Sequence, residues 1–265
     1  MSEGQLPNFD RDNILGMEID QISSDQALGK IVNWSIQARA RYVCVSNVHQ
    51  CMEAFDDPDF RKIINLADLV IPDSQVLAWA ARFVGVGNRQ PVIRGVDLMK
   101  NLCQLAAAKQ IRIGLYGGTR ESLAMLQREL RRLYPELLIA VAIAPPFRPL
   151  TARELLEHNA VINDANVQLL FVGIGCPKQE KWMATQKDSL SCVMIGVGAA
   201  FDFISGVTRP SPKWVHPLGL EWLYRLWLEP RRLWKRYFKH NPRFLMYLIL
   251  QRLGSSLASR NRSAR

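Results

Sequence analysis

The chain has 265 residues, 48% of them hydrophobic and 9% aromatic, and can bury a sizeable core as one large domain or as one domain with an appendage. The net charge of +10 is uneven, because 13 Lys and Arg but only 2 Asp and Glu occur from Arg209 onward, whereas residues 1–208 hold 21 basic and 22 acidic groups. No stretch approaches the ~20 apolar residues of a membrane-spanning helix, and the polar N-terminus lacks a signal-peptide core, so we predict a protein that is soluble or lies on a surface. The scattered cysteines favour a reducing cytoplasm.

The first half of the chain alternates strand and helix patterns. Residues 1–12 are predicted to be a flexible leader, and residues 13–22 a short strand or hairpin edge. Further strands are predicted at 42–45, 67–72 and 112–116. Helices are predicted at 24–38 with Ser23 or Ser24 as N-cap, in a region ending at Asn65, and at 74–83 and 95–109. A loop rich in Gly, Asn and Pro is predicted at 85–91.

The second half continues the alternation. Strands are predicted at 137–142, 169–172 and 192–197, and helices at 121–134, at 150–163 and from Pro177 onward. Strands alternating with helices of about 10–15 residues indicate a parallel sheet with helices on both faces. We therefore predict a Rossmann-like α/β domain over residues 13–208.

Polar and glycine-rich segments follow the predicted strands. In parallel α/β sheets, ligands bind beyond the carboxyl ends of the strands. Those ends carry Ser46-Asn47, Asp73, Gly117-Gly118-Thr119, Pro146-Phe147, residues 173–179 and residues 198–202. Gly173 and Gly175 allow a tight turn before a helix whose free N–H groups favour an anion. The pattern predicts a pocket for a phosphate-bearing ligand, with one acid available for chemistry.

The basic C-terminal segment, residues 209–265, has a different pattern. Residues 213–238 contain four of the seven tryptophans, and apolar residues recur there at helical spacing opposite Arg225, Arg232, Arg236 and Lys239. Pro230 is predicted to divide the segment into two helices. Basic residues opposite tryptophans suit a helix in an anionic bilayer interface, where the apolar run 244–253 could also lie. Alternatively, the tryptophans pack on the α/β domain and the arginines are solvated; basic charge without a reading motif is weak evidence for nucleic acid.

Several formal motif matches carry no function in our interpretation. Asp57-Pro58-Asp59 spells DxD, a metal-binding pattern, but no apolar strand precedes it and we interpret it as a helix boundary. The five cysteines are scattered without a CxxC pair, which favours neither disulfides nor a zinc site, and Cys176 is predicted to be a packing residue. The turns after residues 116 and 172 lack the complete dinucleotide and Walker motifs. We predict no metal and no cofactor.

Seven segments together resemble the WecG/TagA/CpsF glycosyltransferase family, bacterial enzymes of surface and secreted polysaccharide synthesis. They occur in the family's order and cover nearly the whole chain after the leader. The segments are VSNVH (45–49), ADLVIPD (67–73), RGVDL (94–98), LYGGT (115–119), VGIGCPKQEKW (172–182), GVGAAFDFISG (196–206) and GLEWLYRLWLEPRRLWKRY (219–237).

The resemblance implies a hexosyltransferase of exopolysaccharide or cell-surface polysaccharide biosynthesis. Such an enzyme moves a sugar from a nucleotide donor, usually a UDP-sugar, to a polyprenyl-diphosphate-linked sugar. The family is described as inverting and metal-independent, with a Rossmann-like core and a C-terminal appendage that helps bind the membrane. The implied location is peripheral, on the inner face of the cytoplasmic membrane.

The resemblance also implies roles for individual residues. Asp73 matches the catalytic base, Asn47 and Gln179 match residues near the substrates, and Arg94 could counter diphosphate charge. As alternatives, Asp73 or Asn47 caps the following helix, Gln179 reaches back to cap its own helix, and Arg94 lies on a surface loop. Ser74 and Val45 depart from the glycine and threonine that family members often have there. The serine affects the expected acceptor pocket. The valine means that any hydroxyl contact at that position is absent or comes from Ser46.

Further residues are candidate ligand contacts. Ser46, Gly117, Gly118, Gly173, Gly175 and Asp202 are predicted to bind substrate, Asp202 with capping of its own turn as the alternative. The lipid diphosphate and the membrane are assigned to Arg225, Arg232, Lys235, Arg236, Trp222, Trp227 and Trp234, although the basic residues could equally bind ordinary headgroups.

Two other classes of function stay open at the level of sequence. One is a dehydrogenase or epimerase acting on sugar nucleotides, against which the missing dinucleotide motif argues. The other is a non-catalytic membrane-surface protein that binds a nucleotide and regulates polysaccharide assembly.

Overall fold

The computed structural model describes residues 10–84 and 92–263, with side chains through 254. A hairpin of β1 (Arg11–Ile14) and β2 (Met17–Asp20) precedes α1 (Ser24–Ile36), which Ser23 caps as predicted. Arg11 and Asp12 therefore belong to a strand rather than to the predicted leader. The Arg11 guanidinium fixes this edge by donating to the carbonyl oxygens of Asn65 and Ala67. Residues 1–9 and the predicted loop 85–91 lie outside the described residues.

Six parallel strands form the central sheet, in the order β4-β3-β8-β7-β5-β6. The predicted Rossmann-like α/β fold is thereby confirmed. The strands are β3 (Arg41–Ser46), β4 (Leu69–Pro72), β5 (Ile113–Gly117), β6 (Ile139–Ile143), β7 (Leu169–Gly173) and β8 (Val193–Gly196).

The strands are apolar because helices cover both faces of the sheet. Along β7, Leu169 and Phe171 pack into one core layer, and Leu170 and Val172 pack into the other. All four of these side chains are fully buried. The unbroken apolar run in the sequence thus reflects a strand with no solvent-facing side.

Eight helices connect or follow the strands of the described core. They are α2 (Val48–Asp56), α3 (Pro58–Asn65), α4 (Gln75–Phe83), α5 (Gly95–Ala108), α6 (Arg120–Leu133), α7 (Ala152–Asp164), α8 (Lys178–Gln186) and α9 (Ala200–Ile204). Asp57 caps α3 by accepting from the N–H groups of Asp59 and Phe60, which confirms that the DxD spelling is a helix boundary.

Two helices form most of the C-terminal segment, α10 (Glu221–Leu228) and α11 (Pro230–Ser263). Pro230 begins α11, as predicted, since the first helical position does not need its missing N–H. Helix α11 packs against α2, where Phe244 and Leu248 are buried and Arg243 forms two hydrogen bonds with Asp56. The apolar run 244–253 is therefore partly core. Within the described residues, every helix is too short or too polar to cross a bilayer.

Candidate functional site

A cavity of about 1000 Å³ opens beyond the carboxyl ends of the sheet strands, where the sequence predicts a pocket. Its wall comes from the segments that follow β3, β4, β5, β6, β7 and β8, and from α10 and α11. Of the predicted site residues, it is lined by Asn47, Asp73, Arg94, Gly118, Gly173, Gly175, Gln179, Asp202, Arg225, Arg232 and Arg236. The topology thus gathers residues that are far apart in sequence.

Asp73 is held where β4 ends. Its N–H donates to the Ser46 carbonyl oxygen at 2.7 Å, which ties it to β3. Its carboxylate accepts from the Gly95 N–H, at the start of α5, at 2.6 Å. Ser74, rather than Asp73, caps α4, since the Ser74 hydroxyl accepts from the Leu77 N–H. The capping alternative for Asp73 is therefore wrong, and the carboxylate faces the cavity.

The pKa of Asp73 is raised to about 6, chiefly because burial disfavours the charged carboxylate. The hydrogen bond from Gly95 opposes this rise, the negative charge of Glu221 adds to it, and Arg225 and Arg94 lower the pKa. At neutral pH the group is mostly ionised and has a pKa close to that pH. This combination suits a general base.

Arg94 joins the core to the C-terminal segment. Its guanidinium lies 3.3 Å from the Glu221 carboxylate of α10 and 3.5 Å from Asp97. It precedes α5 and is only partly exposed, so the alternative of a surface-loop arginine is wrong. Glu221 consequently touches Arg94 and also acts on Asp73 through its charge.

Asn47 and Ser46 are neighbours in sequence, but only Asn47 lines the cavity. The Asn47 side chain accepts from the Gln50 N–H at 3.2 Å and caps α2, so its capping interpretation is confirmed while the residue also lines the cavity. Ser46 is fully buried, its hydroxyl has no hydrogen-bond partner, and it is not part of the cavity wall. The structure therefore does not support the predicted substrate contact of Ser46, because this side chain is buried in strand β3.

The turn after β5 depends on two glycines. Gly117 has φ +140°, and a Cβ there would lie 2.4 Å from the Gly173 carbonyl oxygen, so the two strand ends approach closely. Gly117 is not part of the cavity wall, which corrects its assignment as a substrate contact. Gly118, with φ +71°, does line the cavity, and Thr119 then caps α6.

Gln179 and Glu180 form a buried polar pair in the first turn of α8. The Gln179 amide nitrogen donates to Glu180 Oε1 at 2.7 Å. Gln179 Oε1 and Glu180 Oε2 are buried without a partner. Helix α8 has no side-chain cap, so the capping alternative for Gln179 is wrong. Both residues line the cavity, so their unpartnered oxygens are available to a bound ligand.

Sequence reasoning did not select Glu180. Burial raises the pKa of this carboxyl to about 7, although the hydrogen bond from Gln179 acts in the opposite direction. In the sequence it resembles an acidic residue that merely complements the dipole of α8. Only its zero exposure marks it as unusual. Glu221 was missed for a similar reason, since its partners Arg94 and Asp73 are distant in sequence.

Cationic side chains of α10 and α11 complete the wall. Arg225 lies over the Phe203 ring, 5.5 Å from its centre, and Arg232 pairs with Glu229. Asp202 faces these arginines, its pKa is raised by burial, and α9 has no side-chain cap that would make Asp202 a capping residue. Lys235 is exposed beside Trp234 and lies outside the wall, because its helical position points away from the cavity.

The tryptophans of the C-terminal helices divide into two groups. Trp222 is half-buried and packs on Tyr237, with ring centres 5.7 Å apart. Trp227 and Trp234 are exposed by 75% and 48%, and Phe238 by 72%. Other exposed apolar side chains of these helices are Leu223, Leu245, Met246, Ile249, Leu250 and Leu253. We call this set the apolar face.

Comparison with known proteins identifies the family. The sequence profile described as "Glycosyl transferase WecG/TagA/CpsF family" matches residues 12–258. The chain belongs to this family. It is therefore a glycosyltransferase, which removes the sugar-nucleotide dehydrogenase and the non-catalytic regulator as alternatives.

Related proteins in this family have a named activity. An N-acetylglucosaminyldiphosphoundecaprenol N-acetyl-beta-D-mannosaminyltransferase of Bacillus subtilis strain 168 is 32% identical over 188 residues, 69% of each chain. Proteins of the same name are 26% identical in Bacillus spizizenii, over 76% of each chain, and 24% identical in Staphylococcus aureus strain NCTC 8325, over 89% of this chain and 90% of the relative.

Proposed function

We propose that this glycosyltransferase moves a sugar from a UDP-sugar to a polyprenyl-diphosphate-linked sugar in bacterial surface or secreted polysaccharide synthesis, with inversion at the anomeric carbon. The observation that carries the proposal is Asp73, a carboxylate with a pKa of about 6 in a cavity that five arginines also line. The names of the relatives support an acceptor of the N-acetylglucosaminyl-diphospho-polyprenol class.

Asp73 acts as the base in this reaction. As the acceptor hydroxyl attacks the anomeric carbon, Asp73 takes its proton, the new glycosidic bond forms and the bond to the nucleoside diphosphate breaks. Attack from the face opposite the leaving group inverts the anomeric centre. The Gly95 N–H fixes the orientation of the carboxylate before the acceptor arrives.

The diphosphates are bound by the two sources of positive potential around the cavity. The glycine turns after β5 and β7 and the uncapped start of α8 favour the donor diphosphate, because free N–H groups at a helix start attract anions. Arg225, Arg232 and Arg236 lie on the side of the C-terminal segment and favour the lipid diphosphate. Gln179 and Asn47 orient the sugars between them.

The chemistry needs no divalent metal in this proposal, because the arginines neutralise diphosphate charge. Neither acid of the Asp57-Pro58-Asp59 motif lines the cavity. Asp57 instead caps α3 and forms an ion pair with Lys181 at 3.0 Å. We therefore expect neither Mg²⁺ nor Mn²⁺ to accelerate transfer.

Membrane contact brings the enzyme to its lipid substrate. The apolar face lies beside basic residues of the same helices, which suits a peripheral position on an anionic inner leaflet. The lipid diphosphate then approaches the cavity from the side of α10 and α11.

Label transfer from a panel of UDP-sugars to a polyprenyl-diphosphate-N-acetylglucosamine acceptor tests the proposal. We expect Asp73→Asn to lower kcat at least about 100-fold, because general-base catalysis contributes roughly 10²–10⁴-fold. Asp188→Asn, which changes an exposed acid outside the cavity, is the matched control and should retain wild-type activity. Wild-type activity in Asp73→Asn, or a requirement for Mg²⁺ or Mn²⁺, would contradict the mechanism.

A further inference from the structure

Two histidines and one glutamate meet where α11 packs on α2, next to the cavity, whose wall includes His49 but neither Glu53 nor His240. His49 and Glu53 are one turn apart on α2, and His240 comes from α11. Glu53 Oε1 lies 3.2 Å from His240 Nε2 and 3.8 Å from His49 Nδ1. Among the residues that the structure describes, this is the one group of His, Cys and acidic side chains close enough to hold a metal ion, with all three ligand atoms within 4.8 Å of one another.

The separations are close to those of a tetrahedral site. With bonds of about 2.0–2.2 Å to imidazole nitrogen and carboxylate oxygen, ligand atoms lie roughly 3.3–3.4 Å apart. The two distances from Glu53 differ from this value by a few tenths of an ångström. A tetrahedral site requires side-chain rotations that bring the three ligand atoms, which all lie within 4.8 Å of one another, to this spacing.

His49 also has the hydrogen bonding that a ligand needs. His49 Nδ1 is buried without a hydrogen-bond partner, while the ring is hydrogen-bonded to the backbone of Cys176. A ring that donates to a backbone carbonyl through one nitrogen presents a lone pair on the other, which is the usual arrangement around zinc. A metal ion would therefore satisfy an atom that otherwise stays unpaired.

The neighbouring charges are distributed so that Glu53 stays available. Lys239 and Arg243, on either side of His240, both pair with Asp56, at 3.4 Å and 2.6 Å. Arg236, one turn before His240, lines the cavity, and its positive charge also acts on His49. Glu53 is thus the acid that faces the two imidazoles.

We propose that His49, Glu53 and His240 bind a divalent transition metal ion of the Zn²⁺ class, which fastens α11 to α2. Water fills the fourth position. Because Asn47 caps α2 and Arg236 precedes His240 by one turn, the ion fixes the spacing of two residues of the cavity wall. It takes no part in group transfer.

Metal titration of the tag-free full-length chain, first stripped with a chelator, tests this site. We expect one equivalent of Zn²⁺ to bind and to raise the unfolding temperature, and Co²⁺ to give the visible absorption of a tetrahedral nitrogen and oxygen site. Glu53→Gln and His240→Gln should each weaken binding at least about 100-fold, since even loss of outer partners of a ligand weakens metal binding about 10–100-fold. His216→Gln, which alters a histidine bonded to Ser211, should bind like wild type.

Absence of stoichiometric binding, or equal affinity in wild type, Glu53→Gln and His240→Gln, would overturn the proposal. In Glu53→Gln the amide oxygen can still accept a hydrogen bond from His240, so this variant should fold. It therefore tests the site even if His240→Gln does not fold. The readouts do not involve sugar transfer, so their failure is independent of the proposed reaction. If chelation slows transfer, Zn²⁺ rather than Mg²⁺ or Mn²⁺ should restore it.

Discussion

At the scale of single residues, the surroundings of Asp73 turn an ordinary carboxyl group into a candidate base. Two opposing sets of neighbours act on it: burial and Glu221 raise its pKa, and Gly95, Arg225 and Arg94 lower it. Glu221 is therefore a positioning and tuning residue, which reaches the base from another part of the chain. The pH at which kcat/KM falls on the acidic side should depend on this balance.

We predict that kcat/KM falls as the pH drops through about 6, because Asp73 must be ionised to accept a proton. Glu221→Gln removes a negative neighbour, favours the ionised form and should shift this limb to lower pH. Arg225→Gln should shift it to higher pH. Profiles for the two variants measure both shifts, and identical limbs in all three proteins would contradict the role of Asp73 as the titrating base.

At the scale of elements, the close approach of the ends of β5 and β7 explains why glycine is needed at Gly117. Gly117 and Gly173 let β5 and β7 converge at the cavity floor, and the backbone of Gly117 lies in a region that side chains rarely adopt. Gly117 is required for the shape of the floor rather than for contact with substrate.

Gly117→Ala should lower the free energy of unfolding by more than 3 kcal/mol, roughly, because it adds backbone strain and a contact with Gly173 that cannot relax through a side chain. Chemical denaturation measures the change. Gly29→Ala is the control, since a Cβ at this position of α1 meets nothing within 4 Å. It should stabilise the protein by about 0.5–1 kcal/mol, so comparable losses in the two variants would contradict the account.

Sequence patterns were sufficient for the strands, for most helices and for the edge of the sheet that carries the cavity. Apolar runs such as 169–172 are unambiguous because they are buried on both faces. The patterns did not predict which of two neighbouring side chains caps a helix, or which of two nearby partners a side chain bonds. Ser74 rather than Asp73 caps α4, and Gln179 bonds to Glu180 rather than to its helix start. Contacts across long separations, such as Glu221 with Arg94, leave no local signal.

At the scale of the whole molecule, α10 and α11 serve two surfaces at once. One side supplies arginines to the cavity and packs Phe244 and Leu248 into the core, and the other carries the apolar face. The exposure of Trp227 and Trp234 argues against packing of these two side chains on the α/β domain, and their contact with lipid is part of the proposal above. Trp222 packs within the C-terminal segment, whereas Trp227 and Trp234 remain exposed.

We predict that Trp227→Ser combined with Phe238→Ser weakens binding to anionic vesicles at least tenfold, since both side chains are largely exposed on the apolar face. Vesicle flotation measures the loss, and binding of the wild type should also weaken as salt increases. Leu156→Ser, on the exposed surface of α7, should bind vesicles normally. Unchanged binding of the double variant would show that another surface contacts lipid.

The strand order β4-β3-β8-β7-β5-β6 delays completion of the sheet during synthesis on the ribosome. Strand β8 is the last of the six to be translated, yet it lies in the middle and joins β3 to β7. Until residue 196 has left the ribosome, the nascent chain consists of two partial sheets with unpaired inner edges. Such edges attract other chains, so chaperone protection during this interval, or rapid translation of the segment that ends in β8, would favour the yield of folded enzyme.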